Sequence, residues 1–234
     1  MRINANDSVI GHHCVLVPYC PKHVEKYHGW MASEELRRET FSEALTLEEE
    51  QQMQRAWRED GDKLTFIILD KRTMAANGGE DEEIASMVGD INAFLCSYDS
   101  SIDGKDEETI GGGTNDDISQ QRNDCGGESD GDKRCFELSV MVAEPGFRRR
   151  GIALEACKLM IAYILQRIGG KPNFIAKISA KNHPSLALFR DRLNFTECAF
   201  SEVFDLTTLF LENERAKELV EQIQLLIEPY ESCD

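Results

Sequence analysis

Among the 234 residues there is no C-x-x-C pair, no spaced histidine cluster, no apolar run approaching eighteen residues and no glycine-rich nucleotide loop of either common kind. Each absence removes a class of function. The cysteines stand at 14, 20, 96, 125, 135, 157, 198 and 233, without the close pairing of a zinc or dithiol motif. Of the histidines (His12, His13, His23, His28 and His183), the adjacent pair would point to opposite faces of a strand. No set has ligand spacing, so no metal is expected. Without a long apolar run, no membrane-spanning helix is expected. The opening MRINANDSV is polar and lacks the apolar centre of a secretory leader. With unpaired thiols, that gives the expectation of a cytoplasmic protein, or a nuclear one. G-x-x-x-x-G-K-[ST] is missing, which excludes a Walker-type loop, and G-x-G-x-x-G is missing, which excludes a dinucleotide fingerprint.

Positive charge is also scarce. Lys and Arg number 26 against 43 Asp and Glu, a net charge of −17. Such a chain repels phosphate backbones and anionic lipid, so neither nucleic acid nor a membrane surface is an expected partner. Part of the excess is local. Residues 97–134 hold eleven acidic and four basic residues among Gly, Ser, Asp and Asn, with few apolar ones. That composition cannot offset its ordering entropy, and we expect a disordered acidic insertion there. MAANGGEDEE at 74–83 is expected to be a second loop. The remainder, with 41% hydrophobic residues overall, has enough apolar matter for one core.

Periodicity orders that remainder. CVLVPY (14–19), LTFIILD (64–70), MVGDINAFL (87–95), FELSVMVA (136–143), NFIAKISA (173–180), FTECAF and VFDLTTLFL are expected strands. Helices are expected at about 22–36, from the Thr46–Glu49 capping box through Trp57, after Gly151, and at 184–193. A C-terminal amphipathic helix is expected at about 213–228. The order reads as a single mixed α/β domain over residues 1–234.

In a chain so poor in positive charge, RRRGIALEA at 148–156 needs a reason. It follows a strand closed by Pro145 and opens a helix. The first helical turn carries unpaired N–H groups and a partial positive charge, which suits an anion, phosphate above all. Arg148, Arg149 and Arg150 oppose that dipole unless an anion joins them. Gly151 and Ala153 let a ligand approach the backbone closely. The plain alternative is an exposed basic turn with no ligand.

R-x-x-G-x-A between strand and helix closely resembles the acetyl-coenzyme A diphosphate loop, Q/R-x-x-G-x-G/A, of the GNAT superfamily of N-acetyltransferases. NHPSLALFRDRLNF (182–195) is similar to that superfamily's N-x-x-S/A motif, although its spacing beyond Leu188 is one residue longer and Asn194 stands where Gly is common. VLVPY, SEEL, LTLEEE, MVGDIN and VMVAEP extend the likeness to the ribosomal-protein-acetyltransferase branch, and within it to the N-acetyltransferase 9-like group. The resemblance implies a GNAT fold: a mostly antiparallel mixed sheet with a splayed central strand pair and helices on both faces.

It also implies acetyl transfer from acetyl-coenzyme A to a primary amine by direct attack. The acceptor it implies is a protein N-terminal α-amino group. A small-molecule amine, or a non-catalytic acyl-CoA-binding scaffold, is the alternative. The implied cosubstrate contacts are Arg148, Arg149, Arg150, Gly151, Ile152, Ala153 and Leu154, with Asn182 and Ser185 beside them. The pantetheine arm would pair with backbone at Met141, Val142 and Ala143, where a free N–H could stabilise an oxyanion. Glu137, on the strand face it shares with Ser139 and Met141, is the candidate general base, with Asp90 and Glu144 as alternatives. Many relatives protonate the departing thiolate with a tyrosine. Here Phe189 stands near that position.

Overall fold

A computed structural model of the chain describes residues 2–77, 82–96 and 134–231. The expected acidic insertion lies outside the described residues except for Arg134. The elements run β1 (Asp7–Ile10), β2 (Cys14–Pro18), α1 (Val24–Met31), α2 (Glu34–Thr40), α3 (Leu47–Glu59), β3 (Lys63–Asp70), α4 (Lys71–Asn77), α5 (Glu82–Ser86) and β4 (Met87–Cys96). After the insertion come β5 (Cys135–Val142), α6 (Ile152–Arg167), β6 (Asn173–Ser179), α7 (His183–Ala187), β7 (Thr196–Ser201), β8 (Leu206–Leu211), α8 (Asn213–Val220) and β9 (Leu226–Pro229). No described helix is long and apolar enough to cross a membrane.

Local chemistry sets many of these boundaries. Thr46 Oγ1 accepts the Glu49 N–H at 3.3 Å while the Glu49 carboxylate accepts the Thr46 N–H at 2.8 Å, and α3 starts there as its sequence predicts. The single helix expected at 22–36 is divided. Ser33 adopts an extended conformation and accepts the Leu36 N–H at 3.4 Å, so it ends one helix and caps the next. The loop expected at 74–83 is helical where it is described, in α4 and α5.

The C-terminal helix also stops earlier than expected, at Val220, and residues 226–229 form a strand instead. The cause is tertiary. β1 presents an open edge, and Ile10 to Asp7 pair with Leu226 to Pro229. Neither β1 nor β9 is long enough to announce itself by alternation.

The nine strands lie in the order β7-β8-β6-β5-β4-β3-β2-β1-β9. Every neighbouring pair is antiparallel except β5 and β6. That parallel pairing lasts only from Cys135–Asn173 to Glu137–Ile175. Beyond it β5 stays with β4 as far as Val142, and β6 stays with β8 as far as Ser179. The sheet therefore divides down its middle, as expected for a splayed pair.

Helices α6 and α8 cover one face, where Phe136 and Leu138 join Met160, Ile161 and Tyr163 in the larger core. α1 and α2 contribute to a second core on the opposite face, around Tyr19, Tyr27, Ile67 and Met141. Alternation along β3 serves both, with Leu64, Phe66 and Ile68 on the α6 side and Ile67 and Leu69 on the other. Burying both sides of one sheet is what requires β3 and β4 to be apolar through most of their length.

Candidate functional site

The mouth of the split is built by the turn between β5 and α6. Pro145 to Phe147 form a 3₁₀ turn, Arg149 adopts φ 63°, and Gly151 at φ 83° starts α6 without any side-chain cap. The first-turn N–H groups of a helix have no intrahelical partner, and Gly151 brings no side chain to cap them. A Cβ placed on Gly151 would meet nothing within 4 Å. The turn is open, and Gly151 borders a cavity of about 860 Å3.

The three arginines do different things. The Arg148 Nε donates to the Val142 carbonyl at 2.9 Å and its guanidinium lies 3.9 Å from Glu35, so this side chain fastens the turn to the end of β5. Arg150 stacks over Phe147 at 5.1 Å, and Arg149 is exposed. Ile152 is buried in the α6 core, whereas Ala153 and Leu154 are half-buried.

Sequence reasoning missed the other walls of the cavity, which include Lys71, Lys158 and Arg192. The carboxylate in that lining, Glu155, accepts the backbone N–H groups of His12, His13 and Cys14 at 2.7, 2.8 and 2.9 Å. Its charge is thereby taken up by the β1–β2 turn, and the lining is left cationic in a strongly acidic protein. Lys158 carried a signal, since it lies seven residues past Gly151, two helical turns along one face. Arg192, on the π-helical turn Leu188–Arg192, carried none.

The backbone inside the split follows from the ladder. The Ala143 N–H donates to the Val88 carbonyl at 2.9 Å, on the β4 side. Asn173 N–H donates to the Arg134 carbonyl at 2.8 Å, on the β6 side. Successive residues of a strand turn their N–H and C=O to opposite edges. Residues 137, 139, 141 and 143 therefore face β4, and Leu138, Val140 and Val142 face β6. Past the last paired residue, Glu137, the N–H groups that line the gap are those of Val140 and Val142. Ala143, expected as a donor, is already used, and Met141 faces β4. The sequence could give the alternation but not its phase. Gly89 is what lets β4 run so close here, because a Cβ on it would lie 1.9 Å from the Met141 carbonyl oxygen.

Glu137 stands at the vertex, half-buried, with its carboxylate 2.7 Å from Lys177 Nζ. The ion pair spans the last residues before β5 and β6 part. The alternatives are less available. Glu144 accepts the Trp30 indole N–H at 2.8 Å. Asp90 is buried directly opposite Met141, with Tyr27 Oη at 3.3 Å and Asn92 Nδ2 at 2.8 Å donating to it. Burial pushes its carboxyl up to about 6, against the pull of those two donors. Asn182 Oδ1 accepts the Ser185 N–H at 3.2 Å and so caps α7 at the far lip of the split. Phe189 is buried edge-on against Phe195 and offers no hydroxyl. Among the described residues no group of three or more His, Cys, Asp and Glu is placed to hold a metal ion.

Comparison with known proteins identifies the family. Residues 13–192 match the model of the acetyltransferase (GNAT) domain. The chain is 39% identical over 215 residues to an N-acetyltransferase 9-like protein of Caenorhabditis briggsae, covering 92% of this chain and 90% of that one. It is 40% identical over 212 residues to the human alpha/beta-tubulin-N-acetyltransferase 9, covering 90% and 86%. Among solved structures it resembles the spermidine N-acetyltransferase of Vibrio cholerae in complex with CoA and spermine. The TM-score is 0.60 at 11% identity, covering 87% of this chain and 98% of that one. That last likeness is one of fold.

Proposed function

This chain belongs to the GNAT acetyltransferase family as an acetyl-coenzyme A-dependent acyltransferase of the N-acetyltransferase 9-like group, and on that premise we propose that its acceptor is a protein α-amino group. Family membership sets aside the reading of a non-catalytic scaffold. The observation that carries the site assignment is the sheet division that begins past Glu137–Ile175 and runs toward the open turn at Gly151.

The residues present fit the cosubstrate. A diphosphate would take the N–H groups at the start of α6 together with Arg149 and Arg150, and Lys158 and Arg192 suit a further phosphate in the adjoining cavity. Bound there, acetyl-coenzyme A supplies a thioester that an amine can attack. The N–H of Val140 faces the gap nearest the vertex and would stabilise negative charge on the thioester oxygen, an effect of about 3 kcal/mol per donor. Val142 N–H, farther out, suits the pantetheine amide. This assigns the oxyanion role to a neighbour of the residues first expected.

Glu137 would take the proton of the incoming ammonium, directly or through a water. Lys177 holds that carboxylate in an ion pair at 2.7 Å, beside the point where β5 and β6 part. Its own ammonium is held protonated chiefly by the hydrogen bond to Glu137. Phe189 lies in the core and offers the departing thiolate no proton.

A protein acceptor is supported by the names of the mouse, human and Drosophila melanogaster relatives, which specify alpha/beta-tubulin. The test is transfer of labelled acetyl to peptides bearing tubulin N-termini, beside the same peptides blocked at the α-amine and beside spermidine. Transfer to the free peptides alone is expected. Equal or faster labelling of spermidine would overturn the acceptor assignment, and labelling of blocked peptides would move it to lysine.

A further inference from the structure

Three thiols meet on the sheet face opposite α6. Cys135 is buried with Ile175 and Phe210, and Cys96 and Cys198 are half-buried against them. Cys96 and Cys135 are cross-strand partners, directly opposite in the β4–β5 register. Opposed side chains share a face. Because Ala143 and Val88 form a hydrogen-bonded pair and the register runs on without a shift, Cys96 and Cys135 fall on the same type of pair. Such pairs have Cα atoms about 5.5 Å apart, inside the range a disulfide spans. Cys96 Sγ lies 3.2 Å from the Cys135 carbonyl oxygen, so its side chain already leans across the ladder. Glu137 follows Cys135 by two residues on the same face, and the thiols therefore lie in the floor of the site.

The two thiols differ in the way a reacting pair needs. Cys96 is reachable from solvent and Cys135 is not. A hydrogen bond from Cys135 lowers the Cys96 thiol against the opposing effect of burial, with Lys177 assisting. The same contact, with burial, pushes Cys135 up.

We propose that Cys96 and Cys135 form an oxidisable dithiol, a modification site that a peroxide converts to a cross-strand disulfide. The Cys96 thiolate attacks one peroxide oxygen; the S–O bond forms, the O–O bond breaks, and the leaving hydroxide takes up a proton as water. The Cys135 sulfur then attacks the sulfenic sulfur; the S–S bond forms, the S–O bond breaks, and a second water leaves. Two electrons pass from the thiols to one peroxide. Cys198, on β7 two strands beyond β6, donates to the Thr208 carbonyl of β8 at 3.3 Å and is outside the pair. The bond would join the two feet of the chain segment 97–134. This proposal is independent of the acceptor and of the cosubstrate contacts.

The test treats the whole purified chain with hydrogen peroxide, alkylates remaining thiols and maps peptides without reduction. A Cys96–Cys135 linked peptide is expected, reversed by dithiothreitol, unchanged in Cys198→Ser and absent in Cys96→Ser. Oxidised wild type should melt about 5–10 °C above reduced protein, from closing the intervening loop. Cys96→Ser should show no such rise. Full alkylation of Cys96 after oxidation, over-oxidation of Cys96 without a link, or a link from Cys96 to Cys125 or Cys198 would each overturn the pairing.

Discussion

Replacing Gly151 with alanine separates folding from binding. Gly151 sits at φ 83°, where a side chain costs about 1–2 kcal/mol. Since an added Cβ meets nothing within 4 Å, no clash increases that cost. For a chain of this size the melting temperature should fall by about 2–8 °C. The same methyl would project into the open space that borders the cavity. If a diphosphate rests there, displacing it from close backbone contact should cost a further ~1–3 kcal/mol, or roughly 5- to 150-fold in affinity for acetyl-coenzyme A. Calorimetric titration with acetyl-coenzyme A and thermal melts without ligand read the two effects apart. Gly146 is the control. It lies in the preceding 3₁₀ turn with no positive φ and nothing within 4 Å, so Gly146→Ala should change neither readout by much. A Gly151→Ala protein with lowered melting temperature and unchanged affinity would refute the site assignment.

Glu137→Gln should lower turnover by about 10²- to 10³-fold with cosubstrate affinity unchanged, and full activity would place the base elsewhere. Lys158→Ala with Arg192→Ala should weaken acetyl-coenzyme A about tenfold and dephospho-coenzyme A much less, read by calorimetry. Asp90 binds its proton more tightly folded than unfolded, from an ordinary 3.8 up to about 6, so its contribution to stability falls as pH rises through that window. Denaturant melts of Asp90→Asn should therefore lose a slope worth on the order of 3 kcal/mol between pH 4 and 6 relative to wild type, and parallel pH curves would contradict this. Glu83 has the opposite sign. Its burial is outweighed by donors from His23, Lys22 and Tyr230, which hold it down at about 2. Its contribution is complete above about pH 4.5 and is lost as pH falls toward 2, and Glu83→Gln should remove that acid-side loss of stability.

Much of the fold was legible because it rests on short-range chemistry. The Thr46–Glu49 box, the alternation of β5 and the glycine at the head of α6 are each fixed by residues within one or two turns of each other. The basic turn was legible for the same reason, since three arginines and a glycine at a strand–helix junction are contiguous in a chain of opposite charge. What lies between distant segments was not. The last strand forms because β1 has a free edge, and only the fold brings residues 226–229 to it. The phase of the β5 backbone, which gives the gap to Val140 rather than Ala143, depends on which edge meets β4. Arg192 and Lys71 reach the cavity from opposite ends of the sequence, and Lys177 meets Glu137 across the one parallel pairing. Sequence by itself determined the periodicities, the caps and the basic turn, because those are properties of neighbours along the chain. Tertiary structure alone decided which backbone donors, cations and thiols face one another, because strand register and helix packing set distances that no local pattern encodes.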